Sequence, residues 1–204
     1  MNIITISREF GSGGREIGKR LADILGYDYY DKEILSSIAE EQEEKEEYSG
    51  HTSEIFAWQG VPITFRRSFA APMVMNHPQT GVILQQKRII EEIAKLGKNF
   101  IIVGRNADVI LQEYNPFSIF VCADVDSKLR RCEERAAEGE DLTRKQMEYN
   151  MRKIDKNRAI TRELVSDSKW GAVSSYKLTV NTTTWDIKKL SVALADFITK
   201  YFGE

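Results

Sequence analysis

Short runs of β-branched and aromatic residues alternate along this chain with longer stretches whose apolar positions recur every three or four residues. Runs of the first kind predict strands and stretches of the second kind predict helices. Asn2–Ile6 is such a run and ends at Ser7; Gly11-Ser12-Gly13-Gly14 follows, and then Ile17, Leu21 and Leu25 stand at helical spacing. The order is strand, glycine-rich turn, helix. Tyr27–Tyr30 predicts a second strand, ended by Asp31, after which Ile34, Leu35 and Ile38 open another helix. Val82–Leu96 predicts a helix stopped by Gly97, and Phe100–Val103 a buried strand ending at Gly104. Ser118–Val121 predicts a further strand, followed through Asp124 by a helix carrying Leu129 and Cys132. Two helical stretches, about Thr143–Ile154 and Asp155–Asp167, precede a last strand, Leu178–Val180, and a last helix, Trp185–Tyr201. Residues 49–80 follow neither period, being interrupted by Gly50, Gly60, Pro62, Pro72 and Pro78, and are expected to form an insertion or cap.

Strands that alternate with helices, without an internal repeat, imply right-handed crossovers and a parallel sheet covered on both faces. The expected class is α/β, with about five strands. In such sheets ligands sit at the carboxyl ends of the strands, and that is where Ser7, Asp31 and Gly104 fall. At 204 residues the chain matches one domain, and a core of that size needs neither disulfide nor structural metal. Cys122 and Cys132, with only His51 and His77 beside them, form no zinc spacing, so a reduced, cytoplasmic setting is expected. The opening Met-Asn-Ile-Ile-Thr-Ile has no basic leader, and no window approaches the ~20 apolar residues of a membrane span.

Charge refines this picture through its distribution. Lys and Arg number 29 against 31 Asp and Glu, a net −2 that argues against a nucleic-acid polymer as partner. Glu40, Glu41, Glu43, Glu44, Glu46 and Glu47 crowd one run, read as a solvated helix end, while Lys128 to Arg162 is rich in cations. Part of that basic stretch is an ordinary charged helix face. Its remaining cations suit a small polyanion.

Ser7-Arg8-Glu9-Phe10-Gly11-Ser12-Gly13-Gly14-Arg15-Glu16-Ile17-Gly18 has a strand before it and a helix after it, the context of a phosphate-binding loop. Unpaired amides at a helix start converge on an anion, and glycines let the backbone wrap it. Glu16 stands where the third glycine of G-x-G-x-x-G belongs, which disfavours a dinucleotide site. Against G-x-x-x-x-G-K-[ST], with Gly13 as second glycine, Arg8 stands at the first glycine, Gly14 at the lysine and Arg15 at the hydroxyl.

These residues, with Leu25-Gly26-Tyr27-x-Tyr29-Tyr30-Asp31, resemble the start of the bacterial cytidylate kinase-like family of P-loop nucleoside monophosphate kinases. Val103-Gly104-Arg105-Asn106-Ala107-Asp108 resembles that family's Gly-Arg-Asp segment, Asp155-Lys156-Asn157-Arg158 its Asp-x-x-Arg lid segment, and Trp170-Gly171 with Tyr176–Thr182 its closing strand and loop. The resemblance leaves residues 40–85 uncovered. It implies a core of residues 1–40, 86–140 and 170–204, a flap of about 41–85 and a lid of about 141–169. It implies ATP and Mg²⁺ as cofactors and small nucleotides as partners. Gly11, Ser12, Gly13, Gly14, Arg15 and Lys19 would cradle the donor phosphates, with Arg15, Lys19 or Arg20, Arg15 first among them, replacing the missing lysine. Asp31, Arg105, Asn106, Asp155, Arg158 and Arg162 would line the acceptor site, Arg15 and Arg158 would act in catalysis, and Asn181 and Thr182 would lie near the donor base.

The departures from the family pattern bear on the acceptor. Asn106 replaces a carboxylate, and an amide both donates and accepts hydrogen bonds. Ser36-Ser37 stands in place of a Tyr-Arg pair, and Met151 in place of a lid arginine next to Arg152. The expected activity is phosphoryl transfer from ATP to a nucleoside monophosphate such as CMP. Two alternatives are a nucleotide-binding or regulatory protein without efficient catalysis, and a P-loop kinase of a non-nucleotide metabolite. Phe56, Trp58, Phe65, Arg66, Arg67, Phe69 and His77 would stack a base and grip a phosphate, or form an apolar cap or dimer contact.

Overall fold

The computed structural model describes residues 1–39, 80–136 and 142–203. Five parallel strands form one sheet in the order β2-β3-β1-β4-β5. β1 (Ile3–Arg8) lies in the middle, between β3 (Phe100–Val103) and β4 (Phe117–Cys122), and β2 (Asp28–Tyr30) and β5 (Leu178–Asn181) form the two edges. Register sets Ile4 beside Ile101 and Phe117, and Ile6 beside Val103 and Ile119. Ile4, Ile101, Ile102, Ile119 and Val121 are fully buried, which is the demand a central parallel strand makes on both of its faces.

Helix α1 (Gly14–Leu25) crosses from β1 to β2 and packs on the sheet and on the last helix, α7 (Ile187–Phe202). Ile17 and Leu21, one turn apart, are 0% exposed and carry that contact. Residues 32–39 are helical and form α2; α3 (Thr80–Lys95) enters β3 after a turn at Gly97, and Ile89, Ile90 and Ile93 bury its inner face. A single turn, α4 (Ala107–Ile110), follows β3, and α5 (Val125–Glu133) follows β4, capped by Asp124, whose carboxylate accepts the Ser127 amide at 2.6 Å.

Residues 144–163, expected as two helical stretches, are one helix, α6 (Arg144–Glu163). No glycine or proline interrupts Ile154-Asp155, and Asp155 satisfies its carboxylate within the helix and against the glycine loop instead of starting a new one. The true start is Thr143, where a capping box with Gln146 pairs two otherwise orphaned amides. α6 rests on α5 through a small separate core of Leu129, Met147 and Met151, against which Phe10 of the glycine loop also packs. Met151 is 2% exposed, so the residue at the expected arginine position is part of this packing. The acidic run at Glu40–Glu47 and the aromatic and basic positions from Phe56 to His77 lie outside the described residues. Among the described residues no helix is long and apolar enough to cross a membrane.

Candidate active site

The glycine loop leaves β1 at Arg8 and enters α1 at Gly14. Gly11 and Gly13 have φ of 76° and 83°, a left-handed backbone that a side chain opposes. Gly13 caps α1, so the positive end of the helix, with its first unpaired amides, opens onto the loop. The loop's carbonyls are engaged from the other side. Ser12 Oγ donates to Glu9 O at 2.8 Å and Thr182 Oγ1 donates to Ser12 O at 2.7 Å, with both side chains wholly buried. Holding the carbonyls inward leaves amides for an anion.

A cleft over the loop is lined by Arg8, Arg15, Arg131, Arg135 and Arg158 together with Glu9, Phe10, Glu16 and Cys132. Asp155 and Arg158 meet there as one unit. Asp155 Oδ1 accepts the Phe10 amide at 2.8 Å and Arg158 Nη1 at 2.9 Å, while the same Nη1 donates to Arg8 O at 2.8 Å. Helix α6 is thereby tied to the loop's own backbone. Burial pushes the Asp155 carboxyl above its ordinary value, against the pull of Arg158 and the Phe10 amide. Arg131 reaches from α5 to Thr182, donating to its hydroxyl at 3.1 Å and its carbonyl at 2.6 Å. Burial and then the neighbouring Arg135 and Arg130 lower its pKa. Arg135 pairs with Glu16, which Arg20 holds from the other side at 2.9 Å.

Asp31, Arg105 and Asn106, expected to take the acceptor, lie at the ends of β2 and β3. Arg15 turns toward the end of β2, donating through Nε to Asp31 Oδ2 at 2.7 Å and through a terminal nitrogen to Glu33. Burial opposes the Arg15 charge, but these two carboxylates outweigh it and raise its pKa. Asp31 is 2% exposed; its Oδ1 accepts the amides of Glu33 and Ile34 at 3.0 and 3.3 Å and so caps α2, while its Oδ2 receives the Tyr29 hydroxyl at 3.2 Å. Burial and the Asp31 charge raise the Tyr29 pKa. Gly104, Arg105 and Asn106 are consecutive left-handed residues, φ 86°, 62° and 52°, and the two with side chains cost about 1–2 kcal/mol each. Asn106 Nδ2 donates to Thr161 O at 3.3 Å, joining this corner to α6.

Lys19 and Arg162 are turned away from the cleft. Lys19 pairs with Asp23 at 2.8 Å over the Tyr29 ring and does not line the cleft. Arg162 is 2% exposed and consumed by a buried network: Nη1 to Asp108 Oδ2 at 2.5 Å, Nη2 to Ser168 Oγ at 2.7 Å, and the Tyr176 ring face beneath. Thr182 is the inner clamp of the loop, and Asn181 beside it accepts the Thr183 amide at 2.9 Å. Conversely, Arg8, Arg131 and Arg135 line the cleft without having been singled out. Arg131 and Arg135 stand one helical turn apart, a spacing already visible in the basic stretch.

The sequence model of the cytidylate kinase-like family matches residues 3–184, most of the chain. The chain belongs to that family. No curated protein matches it in sequence. A crystal structure of an uncharacterized protein from Eubacterium ventriosum ATCC 27560 is similar to it with a TM-score of 0.70 and 26% identity, covering 97% of this chain and 98% of that one. Shikimate kinase from Bacteroides thetaiotaomicron is similar at TM-score 0.55 and 15% identity, covering 97% and 98% of the two chains. A gluconokinase from Sinorhizobium meliloti 1021 is similar at TM-score 0.50 and 14% identity, covering 98% and 95%. The fold is the α/β fold of P-loop kinases. For this member of the cytidylate kinase-like family, membership and fold together support phosphoryl transfer as the class of reaction.

Proposed function

We propose that the protein transfers the terminal phosphoryl group of ATP to a nucleoside monophosphate, with CMP as the first candidate. The observation that carries this reading is the cleft itself: left-handed glycines opening α1, overlooked by arginines from β1, α1, α5 and α6. Such transfer is catalysed mainly by holding donor and acceptor in line and neutralising charge on the moving group. Arginines suit this because their planar forks grip phosphate oxygens in pairs. Amides of Gly13 and Gly14 would hold the donor phosphates, Arg131 of α5 and Arg135 just beyond its end would flank them, and Arg158 would close over them from the lid. Arg15, Asp31 and the Arg105–Asn106 corner would orient the acceptor.

A triphosphate fits this donor set of amides and guanidinium groups. Mg²⁺ would arrive bound to the nucleotide's phosphates and to water, since no group of three or more His, Cys, Asp or Glu stands together among the described residues. When bound, the ion neutralises charge on the β and γ oxygens.

A small non-nucleotide acceptor is the second reading. It is favoured by Asn106, whose amide is engaged with Thr161. Both readings are tested by incubating the purified protein with ATP, Mg²⁺ and a panel of CMP, dCMP, UMP, AMP and GMP, then a metabolite library, and measuring ADP. The first predicts ADP with at least one monophosphate and its loss in Arg158→Ala; turnover only with library metabolites selects the second.

A further inference from the structure

Arg8 is the last residue of β1 and lies outside the roles assigned above. In the phosphate-loop pattern G-x-x-x-x-G-K-[ST] the first position is a glycine and the lysine comes six residues later. Here the two have changed places, with arginine at position 8 and glycine at position 14. The two positions touch. A Cβ built on Gly14 would stand 2.6 Å from Arg8 Cβ and 3.1 Å from its Cγ, so the stem of Arg8 fills the space in which a side chain at 14 would begin. Its head meets a second glycine. A Cβ built on Gly104 would lie 1.9 Å from Arg8 Nη1 and 2.9 Å from Cζ. Two glycines distant in sequence thus clear the path of one side chain, one at its stem and one at its guanidinium.

That path ends between the two halves of the site. β1 pairs with β3 on this side, so a guanidinium resting on Gly104 stands between the glycine loop and the Gly104–Asn106 corner. Its backbone is fixed as well, since Arg8 O accepts Arg158 Nη1 at 2.8 Å.

We propose that Arg8 is a catalytic residue, supplying from the first loop position the cation that phosphate loops of the common pattern take from the lysine. This rests on the reading of the protein as a phosphoryl-transfer enzyme. In the transfer, an acceptor oxygen forms its bond to the terminal phosphorus as the bridging bond to ADP breaks. Arg8 takes no proton in this step; its fixed positive charge faces the equatorial oxygens of the moving group.

The test uses Arg8→Met, Arg8→Lys and the pair Arg8→Gly and Arg8→Gly/Gly14→Lys, assayed for ADP formation with ATP, Mg²⁺ and the acceptor that the wild type uses. Arg8→Met is expected to lower kcat/KM by at least about 100-fold with little change in thermal melting, and Arg8→Lys by less. Returning the cation to position 14 in the double variant is expected to recover at least about tenfold over Arg8→Gly. Arg8→Met turnover within about threefold of wild type overturns the proposal. Wild-type protein inactive on every acceptor is a failure of the kinase reading instead. Arg8 is then judged by calorimetry with inorganic triphosphate, where at least about tenfold weaker binding in Arg8→Met supports the role and equal binding overturns it.

Discussion

Arg158 and Arg162 stand one helical turn apart on α6, yet one faces the cleft and the other is locked inside the protein. Residue type and spacing alone treat them alike. What separates them is partners far away in sequence: Arg8 O and Asp155 for Arg158, and Asp108, Ser168 and Tyr176 for Arg162. Arg15 shows the same effect, because Asp31 and Glu33 draw it toward the end of β2. The identity of the cations was therefore legible in the sequence, and their direction was not. Removing Arg162 leaves the buried Asp108 carboxylate without its counter-charge. Arg162→Met is expected to lower unfolding free energy by about 3–5 kcal/mol in urea titration while the affinity for ATP, measured on the folded variant, stays within about threefold of wild type. A large loss of acceptor affinity with unchanged stability would return Arg162 to the cleft.

The elements were legible wherever a hydrophobic period ran uninterrupted. β3 spans the predicted Phe100–Val103; β1, β4 and β5 run a residue or two past their predicted ends, where pairing with neighbours extends the ladder, and β2 starts one residue later than predicted. The break predicted inside α6 is absent: the carboxylate of Asp155 accepts the Phe10 amide of the glycine loop, a partner far away in sequence. That contact makes Asp155 a latch between helix and loop, and the burial that comes with it sets the sign of its pH dependence. Its folded pKa lies above the ordinary 3.8, so the folded state binds more protons than the unfolded one in the window just above that value. The ionised carboxylate is the form that folding penalises, and the contribution of Asp155 to stability falls as pH rises through that window. In Asp155→Asn this slope is absent, although the amide oxygen can still accept from Phe10. Denaturation midpoints measured from pH 3.5 to 7 are expected to show wild type losing stability relative to the variant as pH rises; a difference that stays flat, or that runs the other way, contradicts burial as the dominant influence on this carboxyl.

At the scale of the molecule, alternating periods were enough for a parallel α/β sheet, and the strand order was beyond them. β1 sits centrally because its β-branched residues pair on both sides, with β3 and β4, and this brings the glycine loop, the Gly104–Asn106 corner and Asp31 to one edge. The net charge of −2 likewise conceals a local arrangement: arginines converge on the glycine loop, while the glutamate-rich run lies elsewhere in the chain. A cleft so charged attracts phosphates in proportion to their charge, an attraction that weakens with salt. Transfer of a phosphoryl group asks more of the cleft than attraction does. The most direct measurement follows the label from γ-³²P-ATP with Mg²⁺ and each monophosphate of the panel, separated by chromatography. Labelled nucleoside diphosphate is expected from at least one acceptor; label that stays on ATP or appears only as inorganic phosphate with every acceptor contradicts phosphoryl transfer to a nucleoside monophosphate.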